Sequence, residues 1–153
     1  MPSNPTYKQF LVEEFPSRIE ALKTSDQPSF GIMTPQHMVE HLILMAKLST
    51  RQYGDVNAPA TEGQIKFKKF IDNGANFEHR PSDKTADDLP KLKYGSLQEA
   101  KDDYANAIDR FYNHFEAQPD YLSYNQIQGA LGFEDLEFLH YRHFQYHLDQ
   151  FGL

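Results

Sequence analysis

The chain has 153 residues, a formal net charge of −7 and no cysteine. Its length suits one domain over residues 1–153, burying about 68–70% of the unfolded chain's surface, so that no covalent staple is needed. The composition excludes disulfides, thiolate metal ligands, iron–sulfur clusters and a cysteine nucleophile. The acidic balance argues against a nucleic-acid partner, because phosphates require a basic face.

Taken in chain order, the pattern is mostly helical. Over residues 4–23, Tyr7, Phe10, Leu11, Phe15, Ile19 and Leu22 recur at helical spacing. Pro16 lacks a backbone donor and biases Phe15 away from the helical region, so a kink or break is expected there. Residues 25–31 read as a loop. Thr34-Pro35 is a helix start, with threonine as the cap and proline at the first helical position. That helix is expected to run to about Gln52, with Met38, Leu42, Met45 and Ser49 along its stripe. Residues 53–61 form a connection, and residues 62–72 a short helix carrying Ile65, Phe67, Phe70 and Ile71.

Residues 73–95 are polar and rich in breakers, with Gly74, Pro81, Pro90 and Gly95, as in a functional or inserted loop. Ser96 and Glu99 make a capping box. The helix it opens presents Leu97, Ala100, Tyr104, Ala107, Ile108, Phe111 and Phe115 on one face and is stopped by Pro119. Residues 120–133 read as a loop, and residues 134–151 as the last helix, with Gly152 as its cap. The expected fold is all-α, a four-helix bundle. The longest apolar stretch, Leu42 to Ala46, is far too short to cross a bilayer, and the segment from Met1 to Lys8 has no signal-type apolar run. A soluble cytoplasmic protein with no membrane partner is expected.

Five of the seven histidines fall in two short segments: His37 and His41, then His140, His143 and His147. A helical residue turns by about 100°, so the last three share one face with Leu136, Leu139, Phe144 and Phe151. They lie within the apolar stripe, and so does His41, whereas His37 lies at its edge. Several inward imidazoles need partners for both ring nitrogens, and a divalent ion accepts one lone pair from each. The i, i+4 pair His143 and His147 can ligate one ion from a single helix face, and His41 can close the triad from a second helix. Three protein ligands with a fourth position open is the arrangement of a catalytic zinc-type site.

The segment His143-Phe144-Gln145-Tyr146-His147-Leu148-Asp149-Gln150-Phe151-Gly152 resembles the C-terminal signature of the DinB-like (DinB/YfiT) superfamily of metalloenzymes, and most closely its DUF1569 branch. Thr34-Pro35-Gln36-His37-Met38-Val39-Glu40-His41-Leu42 resembles that group's second-helix segment. The resemblance implies a bundle in up-down-down-up order and one metal ion, zinc or else nickel or iron, on His41, His143 and His147. It also implies a small-molecule substrate, such as a low-molecular-weight thiol, in transferase or hydrolase chemistry. There are two departures. The relatives' His-Pro-x-x-Gly-like stretch is here Asn125-Gln126-Ile127-Gln128-Gly129, and Tyr146 stands where a histidine is common.

His140 is the candidate catalytic base one turn from the metal, or else a core histidine bonded to a neighbouring helix. Gln150 can orient a ligand histidine through its amide, or else lie in solvent. Glu40 and Glu137 are possible bases, or residues of a solvated face. His79 and His114 read as structural or exposed. Lys66, Lys68 and Lys69 read as a solubilising surface. Bundles of this kind pair, which points to a homodimer. Two other classes stay open: a non-catalytic metal- or ligand-binding bundle, and an interaction protein with satisfied core histidines.

Overall fold

A computed structural model describes residues 2–79 and 83–153. Pro81, expected in the long loop, lies outside the described residues. The chain is mainly helical. In order come α1 (Pro5–Gln9), a π-helical turn (Phe10–Glu14), α2 (Phe15–Ile19), α3 (Pro35–Leu48), α4 (Glu62–Asp72), a 3-10 turn (Ala86–Asp88), α5 (Leu97–Ala117), β1 (Ser123–Asn125), β2 (Gly129–Leu131) and α6 (Phe133–Gln150).

Of the kink or break expected near Pro16, the break does not occur, and the irregularity there is a π-helical turn. The backbone stays helical from residue 5 to 19, and the π-helical turn absorbs the proline, with the Phe15 N–H reaching Phe10 O. The wider turn accommodates the missing donor while Phe10, Leu11, Phe15 and Ile19 stay buried on one face. The Asn4 side chain caps α1, accepting from Thr6 N at 2.9 Å and Tyr7 N at 3.3 Å. Buried Glu137 of α6 holds this end down, accepting from Asn4 N at 2.9 Å, Tyr112 Oη at 2.7 Å and the Ser3 hydroxyl.

Thr34 caps α3 as expected, accepting from His37 N. The helix ends at Leu48, short of Gln52. The Ser49 and Thr50 hydroxyls bond back to Met45 O and Lys47 O. The chain then turns out to pair with β1: Tyr53 N donates to Tyr124 O at 2.7 Å, and Tyr124 N to Arg51 O at 3.1 Å.

The all-α expectation is corrected at residues 123–131. A two-stranded antiparallel hairpin replaces the loop, with Ser123 opposite Leu131 and Asn125 opposite Gly129. Asn125 Oδ1 accepts from Ile127 N and Gln128 N, and Gly129 takes φ +74 to close the turn. α4 braces the hairpin: Gln64, half of a capping box with Thr61, donates to Tyr124 Oη and Gln126 O.

α5 starts at Ser96 as expected, but the box is incomplete. Ser96 Oγ accepts from Glu99 N, whereas the Glu99 carboxylate accepts from Gly95 N. Gly152, at φ +69, closes α6 with Leu153 N on Leu148 O and Gly152 N on Asp149 O. α3 packs on α5 and α6, the α1–α2 segment packs on α5 and α6, and α4 covers α6. Their shared core includes Met38, Leu42, Phe111, Phe115, Leu136 and Phe144.

Candidate metal centre

His41 projects from the second turn of α3. His143 and His147 project from successive turns of α6, which packs against it. The Nε2 atoms of His41 and His143 stand 3.3 Å apart, and those of His143 and His147 stand 3.0 Å apart. All three ligand atoms lie within 4.8 Å of one another. Neighbouring nitrogens on a tetrahedral ion with bonds of about 2.0–2.1 Å would lie about 3.3 Å apart. The rings cross at 89°, 69° and 63°, so their nitrogens converge and the faces do not stack.

Hydrogen bonding fixes the tautomer of His147. Gln150 Nε2 donates to Phe30 O at 3.0 Å, which turns Gln150 Oε1 toward His147 Nδ1 at 2.8 Å. A carbonyl oxygen only accepts, so Nδ1 carries the proton and Nε2 offers its lone pair to the cluster. A single proton on His143 Nε2 can then serve only one of its two neighbouring nitrogens. Ring protons alone therefore cannot satisfy both contacts, whereas a divalent cation accepts all three lone pairs. The donor set fits such an ion.

The rings are also in the right charge state. Burial, and then the charge of His147, lowers the pKa of His41 to about 4. Burial, followed by His147, His41 and His140, pushes His143 well below its usual value. Burial lowers His147 too, opposed by its bond to Gln150. Neutral imidazoles at physiological pH are the form that binds metal.

His140 does not join the cluster. It is buried, with Nε2 2.7 Å from Ser49 Oγ, and its ring packs edge-on against Phe111 at 5.2 Å. Its Nδ1 has no partner among the described residues, and burial lowers its pKa to about 4. These are the surroundings of a core histidine bonded to a neighbouring helix. His37 is also outside the cluster: Nδ1 meets Thr34 Oγ1 at 2.6 Å and Nε2 meets Pro90 O at 2.9 Å. Glu40 is spent on backbone donors of residues 93 and 94, and Glu137 on the N-terminus.

His79 stacks on Phe30, and His114 packs edge-on against Tyr121. Lys68 bridges Asp72 and Asp135, each at 2.9 Å, and Lys66 pairs with Glu62 at 3.4 Å, so two of the three lysines of the run are paired with carboxylates.

Two participants escaped the sequence. Phe77 stacks on His143 with centroids 4.8 Å apart and planes at 22°. The Phe30 carbonyl anchors Gln150. Both lie in loops, where no periodicity announces a direction.

No family model matches the chain, and searches of curated proteins and of solved structures likewise give no match. No helix among the described residues is long and apolar enough to cross a membrane.

Proposed function

We propose that this chain is a divalent-metal protein of the DinB-like type. In this reading it is a four-helix bundle in up-down-down-up order, and His41, His143 and His147 hold one zinc, nickel or iron ion for thiol transfer or hydrolysis on a small molecule. The observation that carries the reading is the convergence of three neutral imidazoles, with His147 locked by Gln150. When bound, the ion supplies Lewis acidity toward a water or a thiol. The chain has no cysteine, so the thiol comes from a cosubstrate.

The protein's own residues prepare this chemistry. Burial keeps the three rings uncharged. Gln150 holds the His147 ring in one tautomer and one orientation. Phe77 covers a face of His143 and keeps water off it. Tyr146, whose ring lies 5.1 Å from that of His147 and 5.5 Å from that of Phe77, packs beside the site.

The test is elemental analysis of tag-free protein beside His41→Ala and His147→Ala. Near-stoichiometric metal in the wild type, lost in both variants, supports the cross-helix site and directs screening to thiol transfer and hydrolysis. A metal-free wild type that also fails to take up added zinc or nickel sinks the reading. The Ser49–His140 bond, which ties one nitrogen of a core histidine to the end of α3, favours as second reading an interaction module. That reading expects a melting temperature unmoved by chelator.

A further inference from the structure

His41 also lines a cleft of about 100 Å³ that runs outward between α3 and residues 90–94. Its lining is mostly apolar and includes Met33, Ile43, Leu44 and Pro90. Three lysines, Lys47, Lys91 and Lys93, stand around it in a chain whose net charge is −7. Residues 90–94 form a fixed wall. His37 Nε2 holds Pro90 O at 2.9 Å, and Gln36 Nε2 donates to Tyr94 O at 2.9 Å.

The one carboxylate in the lining, Glu40, accepts from Lys93 N at 2.7 Å, Tyr94 N at 3.3 Å and Gln36 Nε2 at 2.9 Å. Its oxygens are occupied by N–H donors and not by the lysine ammoniums. Lys47 lies near Asp103, which Tyr94 and Arg110 also engage. The ammonium groups of Lys91 and Lys93 make no ion pair among the described residues.

We infer that this cleft binds a small organic anion. Its apolar body lies on Met33, Ile43 and Leu44, its acidic group meets Lys91 and Lys93, and its inner end reaches the ring of His41. The inference deepens the metal reading, because the occupant of the cleft is the molecule presented to the three-histidine site. Apolar lining sets how the body sits, and the rim charges select the acid over its neutral isostere.

The test is a panel of short aliphatic and aryl monocarboxylates with their matching neutral amides, titrated into 15N-labelled protein with and without zinc. The carboxylates are expected to shift the Ile43, Leu44 and Lys93 amides and to bind about fivefold tighter than the amides. That preference shrinks as salt is raised. It disappears in the K91Q/K93Q double variant, while Leu44→Trp, at a partly exposed position, blocks acids and amides alike. Carboxylate binding to metal-free protein upholds the cleft even if no metal binds the histidines. The proposal is overturned if no member of the panel binds, if amides bind as well as acids, or if acid binding requires zinc and ignores the lysine exchanges. In that last case the anion sits on the ion alone, and the metal reading survives without the cleft.

Discussion

Gln150→Leu separates the orientation of His147 from its presence. Leucine roughly fills the space of the amide but removes both of its hydrogen bonds, the 2.8 Å contact to His147 Nδ1 and the 3.0 Å contact to Phe30 O. The Gln150–His147 contact itself is closed to water, since Gln150 is 4% exposed and His147 5%. Nothing replaces the lost acceptor, so the His147 ring is free to adopt either tautomer and to rotate away. Loss of such a partner costs about 10–100-fold in metal affinity, or about 1.4–2.7 kcal/mol. Leaving the Nδ1 proton unpaired in the interior also costs the metal-free fold about 1–3 kcal/mol.

The backbone bond from Ser29 N to Gln150 O, at 2.7 Å, is kept, so the loop stays near its place. Zinc affinity is read by competition against a chromophoric chelator, and stability by urea denaturation of the metal-free protein. Gln150→Glu is the informative partner. A carboxylate still accepts from His147 but cannot donate to Phe30 O, so affinity is largely retained while stability falls. An affinity within about twofold of wild type for folded Gln150→Leu would refute the orienting role, being far below the cost of a lost partner.

The remaining predictions test neighbouring links. Gly31 sits at φ +77, and a Cβ there would stand 2.8 Å from Gln150 Nε2. Gly31→Ala therefore strains the backbone by about 1–2 kcal/mol and weakens zinc binding in the same direction as Gln150→Leu; unchanged affinity in the same chelator competition breaks that link. In metal-free protein, acid destabilises the fold. His140 titrates at about 4 when folded and at 6.5 otherwise, so the unfolded chain binds the extra proton between those values. The stabilisation is complete above the unfolded value and is lost as pH falls toward the folded one, by about 2–3 kcal/mol down to about pH 4.5. Urea denaturation across that window checks it: His140→Leu should remove one proton's share of the slope, leaving the shares of His41, His143 and His147, whose pKa values burial also lowers. Glu137→Gln puts an amide where one carboxylate meets three donors, costs about 1–2 kcal/mol, and speeds hydrogen exchange at Asn4 and Thr6. Exchange unchanged at those amides would show that Glu137 does not hold the N-terminus.

Much of the local structure was legible in the residues. The Thr34-Pro35 start, the span of α4 and the glycine stop of α6 are set by neighbours a turn apart, so the chain writes them directly. The i, i+4 spacing put His143 and His147 on one face for the same reason. Other features depended on contacts from far along the chain. Pro16 disrupts a helix in isolation, but burial of Phe10, Leu11, Phe15 and Ile19 holds that segment helical through a π-turn. The strands of the hairpin have three residues each, too few to show an alternation, and they form because Arg51 and Tyr53 pair with Tyr124 from the other side.

The site divides along the same line. By itself the sequence determined that histidines cluster and which of them share a helix face, because helical period is a property of the local backbone. Only the tertiary structure decided that His41 meets His143 at 3.3 Å and that Gln150 serves His147. It alone also turned His140 to Ser49. Those choices follow from how α3 and α6 pack and where the 29–31 loop lies, and packing is a sum over the whole core that no single segment encodes.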